Sequence, residues 1–244
     1  MKSLILAAGY ATRLYPLTKN FPKPLLEVGG ISILDRLLAN LDSLEDITQH
    51  IIVTNDTFVA FFADWKKHSC YKKEIVIVND GATKNENRRG AVRDILLVIE
   101  KLKIAEDLLV LAGDNVVDFS FADFIRFAQK KKASCIAYYE ESSLQILQKH
   151  GVLEIDDSAK VLALHEKSQT PPSHWIAPAF YFYPAADLPL LGRILEEDCD
   201  LDAPGNLIAW LCQKTDVYAW RMTGKRYDIG DPASYKYAKK IFVR

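Results

Sequence analysis

Nothing in the 244 residues approaches the ~20 consecutive apolar positions that span a bilayer. The opening apolar stretch, Ser3-Leu4-Ile5-Leu6, is too short for a secretory signal. A cytoplasmic protein that neither crosses nor coats a membrane is the expectation. No Cys-x-x-Cys pair occurs: Cys70, Cys135, Cys199 and Cys212 lie far apart, which argues against a zinc site or a disulfide framework and for reduced structural thiols. Neither sign of charge dominates. Lys and Arg number 31 against 32 Asp and Glu, a net charge of -1, so a broad nucleic-acid-binding surface is excluded. Any phosphate must be held by cations placed locally. There is no internal repeat and no linker. The dinucleotide fingerprint of three spaced glycines is missing, as is the Gly-rich loop ending in Lys-Ser/Thr.

What is present is a chain long enough to bury a substantial core, 49% hydrophobic, with alternating strand and helix patterns. Apolar residues at helical spacing predict a helix over 31–44. Strands follow at 50–55, 75–79 and 108–112, each ending in polar residues. Helices are predicted over 56–68, from Val92 to Leu102 and over 121–132, with a strand from Ser134 to Tyr139. The aromatic stripe Phe58, Phe61, Phe62 and Trp65 reads as core. Such alternation calls for an open, mostly parallel sheet with helices on both faces. Ligands of such sheets bind at the carboxyl ends of the strands, which puts Gly9, Arg13, Asp80, Gly90 and Asp114 on one rim.

After residue 144 the rhythm changes. A hairpin of 151–155 and 161–165 flanks Asp156-Asp157-Ser158. An aromatic strand, Ile176 to Tyr183, a helix over 184–196 and a helix through Leu207–Leu211 follow, the last with Pro204 near its first turn. Strands at 217–222 and 227–229 precede a final helix over 232–242, which Asp231 would cap.

The first thirty residues concentrate the chemistry. Strand Leu4–Leu6 runs into Ala7, Ala8 and Gly9, then a turn-rich stretch carrying the isolated cations Arg13 and Lys23. Free backbone amides in such a turn can cradle an anion, and small residues let a phosphate approach. An ordinary βα turn with surface cations has the same spacing. Asp114, closing a strand at the rim, suits either a turn or a Mg²⁺ ligand. Glu166-Lys167 reads alone as a solvated strand end.

The ordered set Leu6-Ala7-Ala8-Gly9-x-x-x-Arg13-Leu14-x-Pro16-Leu17-Thr18, followed by Pro22-Lys23-Pro24-Leu25, resembles the signature loop of the sugar-1-phosphate nucleotidylyltransferases. The likeness runs from Leu4 to about Tyr235. It implies a Rossmann-like three-layer α/β sandwich with a mostly parallel mixed sheet and a small β-rich sugar-binding elaboration. One domain, 1–244, would comprise a nucleotide-binding half (1–140) and a sugar-phosphate-binding half (141–244). The implied reaction joins an NTP, dTTP or UTP favoured, to a sugar 1-phosphate such as glucose 1-phosphate, releasing pyrophosphate.

The resemblance also implies roles. Arg13 and Lys23 would be catalytic, on the β/γ and α phosphates. Leu6, Ala7, Ala8, Gly9, Tyr10, Ala11, Thr12, Asp80, Gly90 and Asp114 would bind nucleotide. Gly151, Glu166, Lys167, Ala179 and Tyr181 would bind the sugar phosphate. Asp114 and Asp228 would hold Mg²⁺.

The chain departs from the family at His150, at Arg88 and Arg89 beside the base, at Pro24, and around Asp202, which leaves base and sugar open. Two rivals stand beside this reading: a CTP-dependent enzyme for phosphocholine or a similar phospho-alcohol, and a non-catalytic regulatory homologue. No fused acyltransferase or tetramer-forming extension is expected; a homo-oligomer is possible.

Overall fold

The computed structural model describes residues 1–242. In chain order the elements are β1 (Lys2–Leu6), β2 (Glu27–Val28), β3 (Ile31–Ser32), α1 (Ile33–Asp42), β4 (Gln49–Thr54), α2 (Val59–His68), β5 (Glu74–Asn79), α3 (Ala91–Lys101) and β6 (Leu108–Ala112). They continue with β7 (Asn115–Val117), α4 (Ala122–Lys131), β8 (Ser134–Glu140), α5 (Leu144–Leu147), β9 (Gly151–Ile155), β10 (Val161–Glu166), β11 (Trp175–Ala177) and β12 (Phe180–Tyr183). The last are α6 (Leu188–Leu191), α7 (Gly205–Leu211), β13 (Val217–Arg221), β14 (Arg226–Asp228) and α8 (Pro232–Ile241). Ten strands form one mixed sheet with helices between them, the expected Rossmann-like class.

Two compact units share the chain. Among the described residues the first comprises 1–88, 112–121 and 224–242; the second comprises 89–111 and 122–223. Each is therefore assembled from separate stretches of chain.

In the first unit β1, β4 and β5 are parallel, with Lys2 opposite Gln49 and Gln49 opposite Glu74. Both faces of β4 are buried, which is why His50-Ile51-Ile52-Val53 reads as a continuous run rather than an alternating one. Within it His50 is fully buried; Ser3 Oγ lies 2.7 Å from its Nδ1 and Asp42 Oδ1 3.4 Å from Nε2. Helix α1 buries Ile33, Leu34, Leu37, Leu38 and Leu41, each worth ~2 kcal/mol on transfer from water. Ser32 caps it by accepting the Asp35 N–H at 2.9 Å.

One core cluster, Leu14, Leu26, Val28, Ile33, Val116, Ile229 and Ala238, binds the opening loops to β7, β14 and α8. Helix α8 starts as expected: Asp231 accepts the Ser234 N–H at 2.8 Å, and Ser234 Oγ accepts the Asp231 N–H at 3.0 Å.

In the second unit the pairs are antiparallel, β12 with β6 and β8, β11 with β8 and β9, β9 with β10, except that β13 runs parallel to β8. The hairpin at Asp156–Ser158 forms, with Asp156 Oδ1 accepting the Ser158 and Lys160 N–H groups.

Three sequence expectations change. The aromatic strand breaks at Pro178-Ala179 into β11 and β12, since proline has no N–H to give a ladder. The helix over 184–196 shrinks to α6 and a 3₁₀ turn at Gly192–Glu196. The aromatic stripe of α2 splits: Phe58 and Phe62 are buried while Phe61 is 38% exposed.

Candidate active site

The first unit carries a cleft of about 190 Å³ lined by Leu6, Ala7, Gly9, Ala11, Arg13, Lys23, Pro24, Ala112, Gly113, Asp114 and Gly230. Its floor follows from the end of β1. Gly113 donates to the Leu6 carbonyl at 2.9 Å, and a Cβ there would sit 2.9 Å from that same oxygen. Only glycine lets the turn carrying Asp114 lie so close. Gly9 is different: nothing lies within 4 Å of where its Cβ would be, so its bare backbone faces open space beside the cleft.

The loop after Gly9 turns tightly and leaves several backbone amides free. Ala11 adopts the left-handed conformation (φ 48°), followed by a 3₁₀ turn over Thr12–Leu14. Its carbonyl accepts Leu14 N–H at 2.9 Å and Thr18 Oγ1 at 2.8 Å, which hold the turn. Among the described residues, no acceptor is recorded for the amides of Gly9, Tyr10, Ala11, Thr12 or Arg13. Unpaired amides in such an alternating turn form a concavity suited to phosphate. Arg13 is exposed beside it.

Lys23 is only 8% exposed, and its Nζ donates to Asp114 Oδ2 at 2.7 Å. A 3₁₀ turn at Lys23–Leu25, closed by Leu26 N–H to the Lys23 carbonyl at 3.0 Å, fixes where the lysine emerges. Asn115 Nδ2 donates to the other Asp114 oxygen at 2.7 Å. The antiparallel pairing of β14 with β7 sets Asp228 opposite Asn115, and Ile229 N–H meets the Asp114 carbonyl at 3.1 Å. Arg226 completes the chain: one guanidinium nitrogen donates to Asn115 Oδ1 at 3.0 Å and the other lies 3.4 Å from Asp228 Oδ2. Asn115 and Arg226 carry no signal of this in the sequence, because a strand pairing across 111 residues creates their contact.

Asp114 and Asp228 are about one-third exposed, 36% and 35% at the side chain. Among the described residues no group of three or more His, Cys, Asp or Glu could hold a metal. Two part-exposed carboxylates nevertheless fit Mg²⁺, which takes one or two protein carboxylates and completes its shell with phosphate oxygens and water.

Other expected nucleotide positions, Ala8, Tyr10, Thr12 and Asp80, are not among the residues that line the cleft. Tyr10 is buried, its hydroxyl donating to the Ala82 carbonyl at 3.0 Å, and burial raises its pKa. Ala8 is buried beneath the loop, while Thr12 is exposed on it. Asp80 is 3% exposed and accepts the Ala82 N–H at 2.7 Å, so it shapes the turn.

In the second unit Gly90 (φ 88°) meets the 201–202 backbone: a Cβ would lie 2.5 Å from the Leu201 carbonyl. Ala91 and Val92 N–H groups donate to Asp202 and Leu201 carbonyls at 3.0 and 3.1 Å. On the side where a Gly90 side chain would project, the 201–202 backbone fills the space. Arg88 donates to the Asn85 carbonyl at 3.3 Å, and Arg89 and the Asp202 side chain are exposed.

Glu166 is wedged against two glycines, with its Oε1 only 2.0 Å from a notional Gly205 Cβ and 3.2 Å from that of Gly151. Burial raises its pKa and Asp200 adds to this, against the lowering pull of Lys167 and His150. Lys167 is exposed, in the left-handed conformation (φ 50°), its N–H bound to the His150 carbonyl at 3.1 Å. Tyr181 is 2% exposed, packed 6.2 Å from the Tyr183 ring; Ala179 is half-buried at the strand break.

The family model described as nucleotidyl transferase matches residues 2–242. The chain belongs to the nucleotidyl transferase family. This nucleotidyl transferase is 26% identical over 250 residues to the UTP–glucose-1-phosphate uridylyltransferase AglF of Haloferax volcanii, covering 95% of this chain and 92% of AglF. It is 28% identical to a putative mannose-1-phosphate guanyltransferase of Sulfolobus acidocaldarius, spanning 96% of this chain but 61% of that longer relative. Among solved structures, a UDP-glucose pyrophosphorylase in complex with UDP-glucose superposes with a TM-score of 0.82 at 21% identity, over 99% of this chain and 97% of that one. These relatives are sugar-1-phosphate nucleotidyltransferases, and the shared fold is the Rossmann-like one described above.

Proposed function

We propose that the protein transfers a nucleotidyl group from an NTP to a sugar 1-phosphate, releasing pyrophosphate and forming an NDP-sugar. The observation that carries this is the Lys23–Asp114 pair, 2.7 Å apart, in a cleft shared with Gly9 and Arg13. A phosphate-sized anion there meets unpaired amides, a fork-shaped guanidinium and a nearly buried ammonium.

In the proposed reaction a phosphate oxygen of the sugar 1-phosphate attacks the α-phosphorus of the NTP. The bond from that phosphorus to the β-phosphate bridging oxygen breaks, and its electron pair leaves with pyrophosphate. The nucleophile is already anionic at neutral pH, so no general base is required. Positioning and electrostatics do the catalysis. Arg13 and the Gly9–Arg13 amides hold the β and γ phosphates, and Lys23 offsets charge at the α-phosphate. Asp114 and Asp228 would hold Mg²⁺, which would supply charge neutralisation for the phosphates. Within the second unit, Lys167 is assigned to the phosphate of the sugar 1-phosphate and Glu166 to its sugar hydroxyls, beside Gly151, with Ala179 and Tyr181 as further sugar-binding candidates.

UTP or dTTP with a hexose 1-phosphate is the favoured pair; the likeness to AglF, named for UTP and glucose 1-phosphate, supports UTP. The test incubates four NTPs with hexose 1-phosphates, or CTP with phosphocholine, plus and minus Mg²⁺, and identifies products by mass spectrometry. An NDP-hexose formed only with Mg²⁺ is expected. A CDP-alcohol, or no product from any pair, overturns the proposal.

A further inference from the structure

We infer that Arg226 is a positioning residue that keeps the Asp114–Asp228 pair charge-compensated, so that free divalent metal binds weakly and enters with the nucleotide. The inference rests on the proposal that these two carboxylates are the metal ligands. Its basis is the unbroken hydrogen-bonded chain from Lys23 through Asp114 and Asn115 to Arg226 and Asp228. Two carboxylates and two cations alternate along it, and the Arg226 side chain is only 9% exposed. Both Asp114 oxygens are engaged, by Lys23 and by Asn115. Asp228 Oδ2 faces the Arg226 guanidinium at 3.4 Å.

A bare dication arriving here meets two fixed cations as well as two carboxylates. Among the described residues no third acidic or imidazole ligand joins them. The missing attraction must come with the triphosphate, whose oxygens supply ligands and whose charge engages Lys23. Arg226 then has a second consequence: by gripping Asn115 and Asp228 together it fixes the spacing of the two carboxylates, across strands that are otherwise three residues long. Arg226 thus restrains the metal ligands from the β14 side, as Lys23 does from the opening loop.

The test measures Mn²⁺ binding to the folded, nucleotide-free protein by electron paramagnetic resonance of free Mn²⁺, with folding checked by circular dichroism. Arg226→Gln, which keeps hydrogen-bond donors but removes the charge, is expected to bind Mn²⁺ at least tenfold more tightly than the wild type. Arg226→Lys is expected to stay near the wild-type value. Adding Asp228→Asn to Arg226→Gln is expected to abolish the gain. Equal Mn²⁺ affinity in wild type and Arg226→Gln overturns the inference, as does tight binding by the wild type alone, a measurement that needs no variant to fold. Failure of the underlying metal site looks different: Mn²⁺ then gives no water-proton relaxation enhancement with the protein even when a non-hydrolysable UTP analogue is present, in wild type and variants alike.

Discussion

At the scale of single residues, the cleft owes its chemistry to side chains placed by very short elements. Arg13 is exposed, so Arg13→Ala removes charge without opening the core. A loss of about 10²–10³-fold in kcat/KM with a thermal midpoint within a few degrees of wild type is expected, the size seen when one electrostatic donor is deleted. Steady-state kinetics beside a thermal melt check it; unchanged turnover contradicts the role. Gly205 bears on the other substrate. A methyl group there overlaps Glu166 Oε1 and must push the carboxylate aside. Gly205→Ala is expected to raise KM for the sugar phosphate severalfold while leaving KM for NTP near its wild-type value. Equal effects on both would place Glu166 outside sugar recognition. The residues legible in the sequence were Gly9, Arg13 and Lys23, close together in the opening stretch, and Asp114, just after a strand; all four line one cleft. Asn115 and Arg226 were illegible because their partners arrive from more than a hundred positions away.

At the scale of elements, segments with a clear apolar period were read correctly, whereas the helix over 184–196 and most of the shortest strands were not. Helix α1, with five buried aliphatics at helical spacing, declares itself locally. Strands β2, β3 and β7 are two or three residues long and exist only through their pairing partners, so no pattern announces them, whereas the strand read at 227–229 is β14 displaced by one residue. Proline separates β11 from β12, which both pair with β8 but differ on their other edges, β11 pairing with β9 and β12 with β6. Helix α8 is the element through which stability reaches the cleft, since Ala238 packs in one cluster with Leu14, Leu26 and Ile229. Its cap, Asp231, has a carboxyl pKa lowered chiefly by the Ser234 backbone N–H. Asp231→Ala is expected to cost ~1 kcal/mol in urea unfolding, a typical value for losing a helix cap. Because the folded pKa is depressed, the cap's contribution is full above the unfolded value near pH ~3.9 and fades as pH falls through the folded one. An Asp231→Ala protein as stable as wild type at pH 7 contradicts this account of α8.

At the scale of the whole molecule, His50 sets a pH dependence. Burial lowers its pKa below the usual value, with Asp42 opposing that shift. The unfolded chain protonates this histidine near pH ~6.5 while the folded protein resists, so stability is greatest above that pH and declines as pH drops through the window beneath it. Melting temperatures measured from pH 7.5 to 5 are expected to fall, and His50→Gln to flatten that slope; an unchanged slope rules out His50 as the cause. Family membership holds along the whole described chain, residues 2–242, whereas the identity of base and sugar depends on contacts that motif spacing does not encode. Gly90 illustrates this: its freedom, legible as a loop glycine, is used to admit the Leu201 carbonyl. The central claim is that the cleft holding Lys23 and Asp114 is where the nucleotide phosphates react. Pyrophosphate release by wild type and Lys23→Ala, assayed together with UTP, glucose 1-phosphate and Mg²⁺, tests it most directly. The account predicts release by the wild type only when both substrates are present, and a loss of at least ~10²-fold in kcat for a Lys23→Ala protein that remains folded. Wild-type release without sugar phosphate, or full turnover by Lys23→Ala, would contradict it.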